Sequence, residues 1–276
     1  MKRAHKDEEW SQRRIQSIEV GFQVIRAMEV ADGPLPLRDI AAAAGMPPSK
    51  AHLYLVSFIR EGLVRQDPHT GHYGLGSFAI QLGHSAIRQL DVVELSRDEL
   101  SALQEATGFA AYLSLWGNRG PGIVSKVDGV MQGSLTVRLG YVLPLSVSAT
   151  GHVFLAYRDR KETEKILEAE REAIGRRDET FGPGAVDINQ ADWVEKAVAE
   201  VRQRGYAMSK NNINANFAAM AAPVFDHTGG IIAAITVLGS DKAMTGARAK
   251  TVSRALLDTT RRLSERLGFA NRAKTV

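Results

Sequence analysis

No residue among the 276 is cysteine. Disulfides and thiolate metal sites are therefore excluded, which fits a reducing compartment. No apolar run is long. Ile231 to Leu238 falls far short of the roughly 20 residues that span a bilayer. Met1 to Ser11 is charged and lacks the apolar centre of a secretory signal. The expectation is a soluble cytoplasmic protein with no membrane partner. Charge of one sign is in slight excess only, 35 Lys and Arg against 31 Asp and Glu, which is modest support for nucleic acid. Internal repeats and low-complexity segments are absent. So are the G-x-S-x-G elbow, the P-loop, a G-x-G-x-x-G after a strand, and H-E-x-x-H. His152 has no neighbouring nucleophile with a clear base. An enzyme is not expected, and neither is a cofactor. His69 and His72 have the spacing of a metal pair, but Thr70 and Gly71 between them read as a turn, so no metal is expected.

What is present is enough for two domains: 276 residues with 44% hydrophobic content support real cores. The most informative stretch is residues 37–76. Leu37, Ile40, Ala41 and Ala44 recur at i, i+3, i+4, i+7, one face of a helix. Gly45 stops that helix where the turn needs a positive φ. Pro47 and Pro48 are tolerated at the entry of the next helix, where N–H groups are unpaired anyway. Ala51, Leu55 and Ile59 restart the apolar face, and Gly62 ends it. Leu63 to Arg65, a turn at Asp67 to Gly71, and His72 to Leu75 read as a hairpin. A helix-turn-helix with such a wing places one short helix in a DNA groove.

Around this module the chain divides as follows. Residues 1–12 are expected to form a flexible N-terminal arm; Lys2, Arg3 and Lys6, with Arg13 and Arg14 beyond it, could follow the phosphate backbone, and a solvated tail is the alternative for residues 2–6. Residues 13–76 hold an amphipathic helix (13–31) and the winged module. Residues 77–90 form an apolar connecting helix, with a dimer contact as its expected use. From Asp91 to residue 270 the texture is α/β. Helices are expected at Leu95–Ala106, Ser148–Tyr157, Glu162–Arg171, Ala191–Arg204 and Thr245–Leu267. Strands are expected at Ala110–Trp116, Gly122–Val127, Leu135–Val137, Gly205–Met208, Phe217–Phe225 and Ile231–Leu238.

In order and spacing, three stretches resemble the IclR family of bacterial transcriptional regulators. They are Leu37–Ala41 through Gly45–His52, Glu61–Val64 and Asp67–Gly76; Gly140 with Leu143–Leu145 and Ser148–Ala156; and Arg204–Ala207 with Ala221–Val224. The resemblance covers about residues 15–268. It implies an N-terminal winged helix-turn-helix, a C-terminal GAF-like α/β effector-binding domain, dimers or tetramers built of two dimers, and small metabolites, often organic acids, as effectors. Repression and activation both stay open.

The candidate DNA-binding residues are Arg38, Pro48, Ser49, Lys50, His52, Leu53, Tyr54, Thr70 and His72. Ser49 and Lys50 at a helix start can meet phosphates or base edges, with a plain N-cap as the alternative for Ser49. His52 is either a base or phosphate donor or a partly packed surface histidine. Leu53 stands where the family usually carries arginine, so a thymine methyl is its expected contact. Arg38 can clamp a phosphate, and Thr70 and His72 lie on the wing.

For the effector, Ser148, Ala149, Thr150 and Gly151 open an apolar helix whose free N–H groups suit a carboxylate. Capping by Ser148 or Thr150 is expected there too. The resemblance adds Leu143, Ser209, Ala219, Thr236 and Leu238. Ser209 and Ala219 replace an acidic residue and a cysteine common in the family, which implies a less acidic, more apolar pocket. Asn211, Asn212, Asn214 and Asn216 read as a surface loop, with contacts to ligand hydroxyls as the alternative. Tyr112, Trp116 and Trp193 read as packing. The competing reading is a constitutive DNA-binding or oligomerising protein with no ligand.

Overall fold

The computed structural model describes residues 15–31, 33–129, 138–176 and 192–270. The predicted arm and the predicted strand at Leu135–Val137 lie outside them. The chain divides into two compact units, residues 1–89 and 90–276.

In the first unit α1 (Gln16–Glu29), α2 (Leu37–Ala43) and α3 (Pro48–Arg60) are followed by the hairpin β1 (Val64–Gln66) and β2 (Tyr73–Leu75), then α4 (Ser77–Arg88). The turn from α2 to α3 depends on Gly45, whose φ of 64° is costly for any residue with a Cβ. Val24, Met28, Ile40, Leu55, Val64 and Tyr73 form the small core, so the apolar stripes of three helices meet the inner side of the wing. Val64 pairs with Leu75 and Gln66 with Tyr73, and Leu35 adds a bridge to Tyr73.

The second unit is one antiparallel five-stranded sheet of β3 (Ala110–Gly117), β4 (Gly120–Val127), β5 (Ala207–Lys210), β6 (Phe217–Phe225) and β7 (Ile231–Ser240). Its spatial order is β4-β3-β7-β6-β5. The helices α5 (Val92–Thr107) and α9 (Gly246–Arg266) cover one face. Met220, Val224, Ile235 and Val237 point to them and join Leu100, Leu103 and Leu256 in the larger core. On the other face lie α6 (Ala149–Tyr157), α7 (Arg160–Arg176) and α8 (Trp193–Arg204). Because both faces are covered, β6 and β7 are apolar without alternation, and they read in the sequence as continuous runs.

Several boundaries shift: the helix expected at Leu95–Ala106 begins at Val92, where the Asp91 carboxylate caps it, and the strand expected at Gly122–Val127 begins at Gly120. The strand expected at Gly205–Met208 begins at Ala207, because Gly205 is the left-handed C-cap of α8 with φ 77°. The helix expected at Glu162–Arg171 runs from Arg160 to Arg176.

The helix α6 has eight of its nine residues buried. The Ser148 Oγ accepts from the Gly151 N–H at 2.8 Å and donates to the Pro144 carbonyl at 2.6 Å. The Glu170 carboxylate on α7 takes the N–H groups of Leu145 and Ser146 at 2.6 and 3.0 Å. At the far end the Arg202 guanidinium on α8 donates twice to the Ala156 carbonyl, at 3.0 and 2.9 Å. Gly151 is required: a Cβ there would lie 2.5 Å from Leu145 Cα and the Pro144 carbonyl oxygen.

Candidate functional site

Two surfaces are built from the expected residues. The first is the outer side of α3, where Ser49, Lys50, His52 and Leu53 are all exposed and Leu53 is 69% so. Pro48 opens the helix. Its N-cap is Pro47, which makes no side-chain cap. Ser49 is therefore not the cap, and its hydroxyl is left for another use. Tyr54 departs from expectation: it is half-buried and packs with Phe58 against Gly21 of α1, because the absent Cβ of Gly21 leaves room for its ring. His52 leans toward β2, with Nδ1 3.5 Å from the Tyr73 hydroxyl. Arg38 is exposed, and its Nε donates to Asp39 at 3.1 Å. An exposed pair of this kind is weak enough to be exchanged for another anion.

The wing tip is tightly organised. The Asp67 carboxylate accepts from the N–H groups of His69 and Thr70 at 2.8 and 2.9 Å. These bonds hold its carboxyl below the usual range. The Thr70 hydroxyl accepts from the His72 N–H at 3.3 Å, so it is partly committed to the turn. Among the described residues no group of three or more His, Asp or Glu comes together to hold a metal.

The second surface is a cavity of about 350 Å3 in the second unit. Six of the expected residues line it: Leu143, Ser148, Ala149, Ser209, Ala219 and Leu238. Strand register explains three of them, since Ser209 sits opposite Ala219 and Ala219 opposite Leu238 in one row across β5, β6 and β7. Ser148 and Ala149 bring the N-terminus of α6 to the wall, where the first helical N–H groups have no intrahelical partner.

Thr150, Gly151 and Thr236 do not line the cavity. The hydroxyls of Thr150 and Thr236 meet at 2.8 Å behind it, and both residues are buried. Gly151 faces the backbone of Leu145. Their place is structural support for the wall.

Several lining residues escape the sequence reading. Tyr112 is buried as expected but also faces the cavity. Burial pushes its hydroxyl pKa up to about 12, partly offset by hydrogen bonding with Thr150 and Thr236. The tyrosine is therefore a neutral donor. Arg138 and Tyr141 come from the segment beside β4, and no local periodicity marks them. The asparagine cluster splits. Asn211 and Asn216 take left-handed backbone at φ 59° and 68°, as a turn requires. Asn212 is buried, donates to the Val147 carbonyl at 3.1 Å and lines the cavity, as does Asn214.

Trp193 packs in the core beside His152. The His152 Nε2 faces the Ser146 carbonyl at 3.0 Å and so carries the proton. Burial lowers the pKa of this histidine, which keeps the ring neutral. Among the described residues no helix is long and apolar enough to cross a membrane.

Comparison with known proteins matches both units to one family. The family profile described as "IclR helix-turn-helix domain" matches residues 17–68. That described as "Bacterial transcriptional regulator IclR C-terminal" matches 84–265. The Glycerol operon regulatory protein of Streptomyces griseus is 31% identical over 261 residues, covering 93% of this chain and 98% of its own length. The HTH-type transcriptional regulator XynR of Escherichia coli is 26% identical over 223 residues, 81% of this chain and 85% of its own. Among solved structures, Pseudomonas aeruginosa HmgR superposes with a TM-score of 0.83 at 30% identity, covering 93% of this chain and all of its own. The relatives carry the names of regulators rather than enzymes, and the chain belongs to the IclR family of DNA-binding bacterial transcriptional regulators.

Proposed function

We propose that this regulator is ligand-responsive: a small organic acid held in the cavity of the second unit changes the affinity of the winged module for an operator. The observation that carries the reading is the cavity itself. It has the size of a small-molecule site. The start of a buried helix opens on it, and no carboxylate lines it among the described residues. An anion is favoured there by helix N–H groups and loses nothing to like charge.

On the DNA side, Ser49, Lys50 and Leu53 share the exposed side of α3 and are assigned to the groove. Arg38, Thr70 and His72 are assigned to the flanking backbone. Two modules acting as a pair, in a dimer or a dimer of dimers, would read two half-sites. Effector binding would then shift the equilibrium between two arrangements of the pair. A coupling of about 1–3 kcal/mol changes operator affinity roughly 5- to 150-fold.

The test is a fluorescence-anisotropy titration onto the DNA immediately upstream of the gene and onto a scrambled duplex, at several salt concentrations. Saturable preference for the native duplex, altered by an acid that also raises the melting temperature, supports the reading. Specific DNA binding that no small molecule alters would favour the constitutive alternative.

A further inference from the structure

We infer that the cavity selects an elongated monocarboxylate with an apolar body, and that Arg138 is the residue that reads its charge. The inference rests on the reading of this cavity as the effector site and names the chemistry it takes.

Charge comes first. Arg138 is the cation of the lining, and among the described residues no acidic side chain pairs with it or lines the cavity. Its position is well defined. The turn from Arg138 to Tyr141 closes with a 3.2 Å bond from the Tyr141 N–H to the Arg138 carbonyl, and Gly140 supplies a φ of 79°. That turn is sewn to the edge of β4. Gly140 donates to the Ile123 carbonyl at 2.8 Å, Ile123 donates to the Tyr141 carbonyl at 3.0 Å, and Leu143 donates to the Pro121 carbonyl at 2.8 Å. The backbone that carries the guanidinium is held in place in this way, and with no competing acidic side chain the guanidinium is available to a bidentate carboxylate.

One cation balances one anion. A second carboxylate would have only neutral groups to meet, the first N–H groups of α6 or the apolar walls of Ile123, Leu143, Ile213, Phe217 and Leu238, and a charge without a counter-ion is expensive there. The same walls argue against a two- or three-carbon acid, which would leave most of them wet.

Shape follows from topology. The lining draws on all five strands, from Ile123 on the β4 edge to Ser209 on the opposite β5 edge. The space is therefore extended across the sheet. Ser209 is only 8% exposed and lines the cavity at the β5 edge. It marks where a neutral polar atom remote from the carboxylate would be received.

The test uses the full chain with 4-phenylbutyrate and octanoate as probes. The controls are 4-phenylbutyramide (no charge), suberate (two charges) and pyruvate (no body). Melting temperature and titration calorimetry are read for wild type and Arg138→Gln. The two probes should raise the melting temperature and the three controls should not. R138Q should weaken the probes about ten- to a hundredfold, the loss of one charge-assisted bidentate contact. Its ligand-free melting temperature should stay unchanged, since the side chain is exposed. Equal binding of the amide, suberate or pyruvate overturns the ligand class, as does failure of both probes. Unchanged probe affinity in R138Q overturns the role of Arg138. Anisotropy on the upstream duplex runs in parallel. A neutral ligand that shifts DNA affinity would leave the proposed function standing while removing this inference.

Discussion

Replacing Thr236 by valine separates a support role from a ligand-contact role. Thr150 and Thr236 share a 2.8 Å hydroxyl contact between α6 and β7, and both are almost wholly buried, at 1% and 0% exposure. Valine keeps the shape and removes the oxygen. The stranded Thr150 hydroxyl then retains only Tyr112 as a nearby partner, and leaving a buried hydroxyl poorly satisfied costs about 1–3 kcal/mol. For a unit of this size each kcal/mol lowers the melting temperature by about 2–4 °C, so a drop of roughly 2–12 °C is expected. Thr150→Val should behave alike. The double variant should cost less than the sum of the two, with a coupling of about 0.5 kcal/mol or more, because it removes both polar partners together. Trp116 and Trp193 both lie in this unit and report its unfolding by fluorescence. Effector affinity in the double variant should stay near wild type. Strictly additive single effects, or loss of ligand binding with stability intact, would refute the support role.

Other consequences are equally direct. The pKa of His152 is lowered by burial, so the unfolded chain takes up this proton more readily than the folded one. Stability of the second unit should fall as pH drops below about 6.5, and His152→Gln, which keeps an N–H for the Ser146 carbonyl, should flatten that slope in urea titrations run across pH. Asp67→Ala removes the acceptor for the His69 and Thr70 N–H groups. It should weaken DNA binding in anisotropy while leaving the melting of the second unit unchanged. Lys50→Ala should lower operator affinity and reduce the salt slope by about 0.9 if the contact is a phosphate. An unaltered slope with altered base preference would place Lys50 on a base edge instead.

The sequence carried most of the architecture because its signals were local. The period of Leu37, Ile40, Ala41 and Ala44, and the glycines at 45 and 62, mark the winged module without reference to distant residues. Six of the cavity's lining residues were legible for other reasons: the start of an apolar helix at Ser148 and Ala149, and the family resemblance for these and for Leu143, Ser209, Ala219 and Leu238. What stayed hidden depends on tertiary placement. Tyr112 lies in an apolar strand, where nothing local distinguishes a core ring from one at a cavity wall. Arg138 gains its position only when its turn pairs with β4. Tyr54 keeps helical spacing with the exposed residues, but the missing side chain of Gly21, more than thirty residues earlier, draws it inward. The asparagines divide in role within six residues, Asn211 and Asn216 as turn-makers around the cavity-lining Asn212 and Asn214, and only the backbone angles separate the two kinds.

The clamping of α6 has a mechanical consequence. A helix with one exposed stripe can slide or roll against water, but α6 has almost no such surface, and close-packed interiors repack in discrete steps rather than deform smoothly. The loop that leads into its first turn is tied at Leu145 and Ser146 through Glu170 to α7, and its last turn through Arg202 to α8. Any displacement imposed at the cavity end therefore cannot dissipate within α6. Such a displacement is expected to emerge as movement of the outer helices α7 and α8.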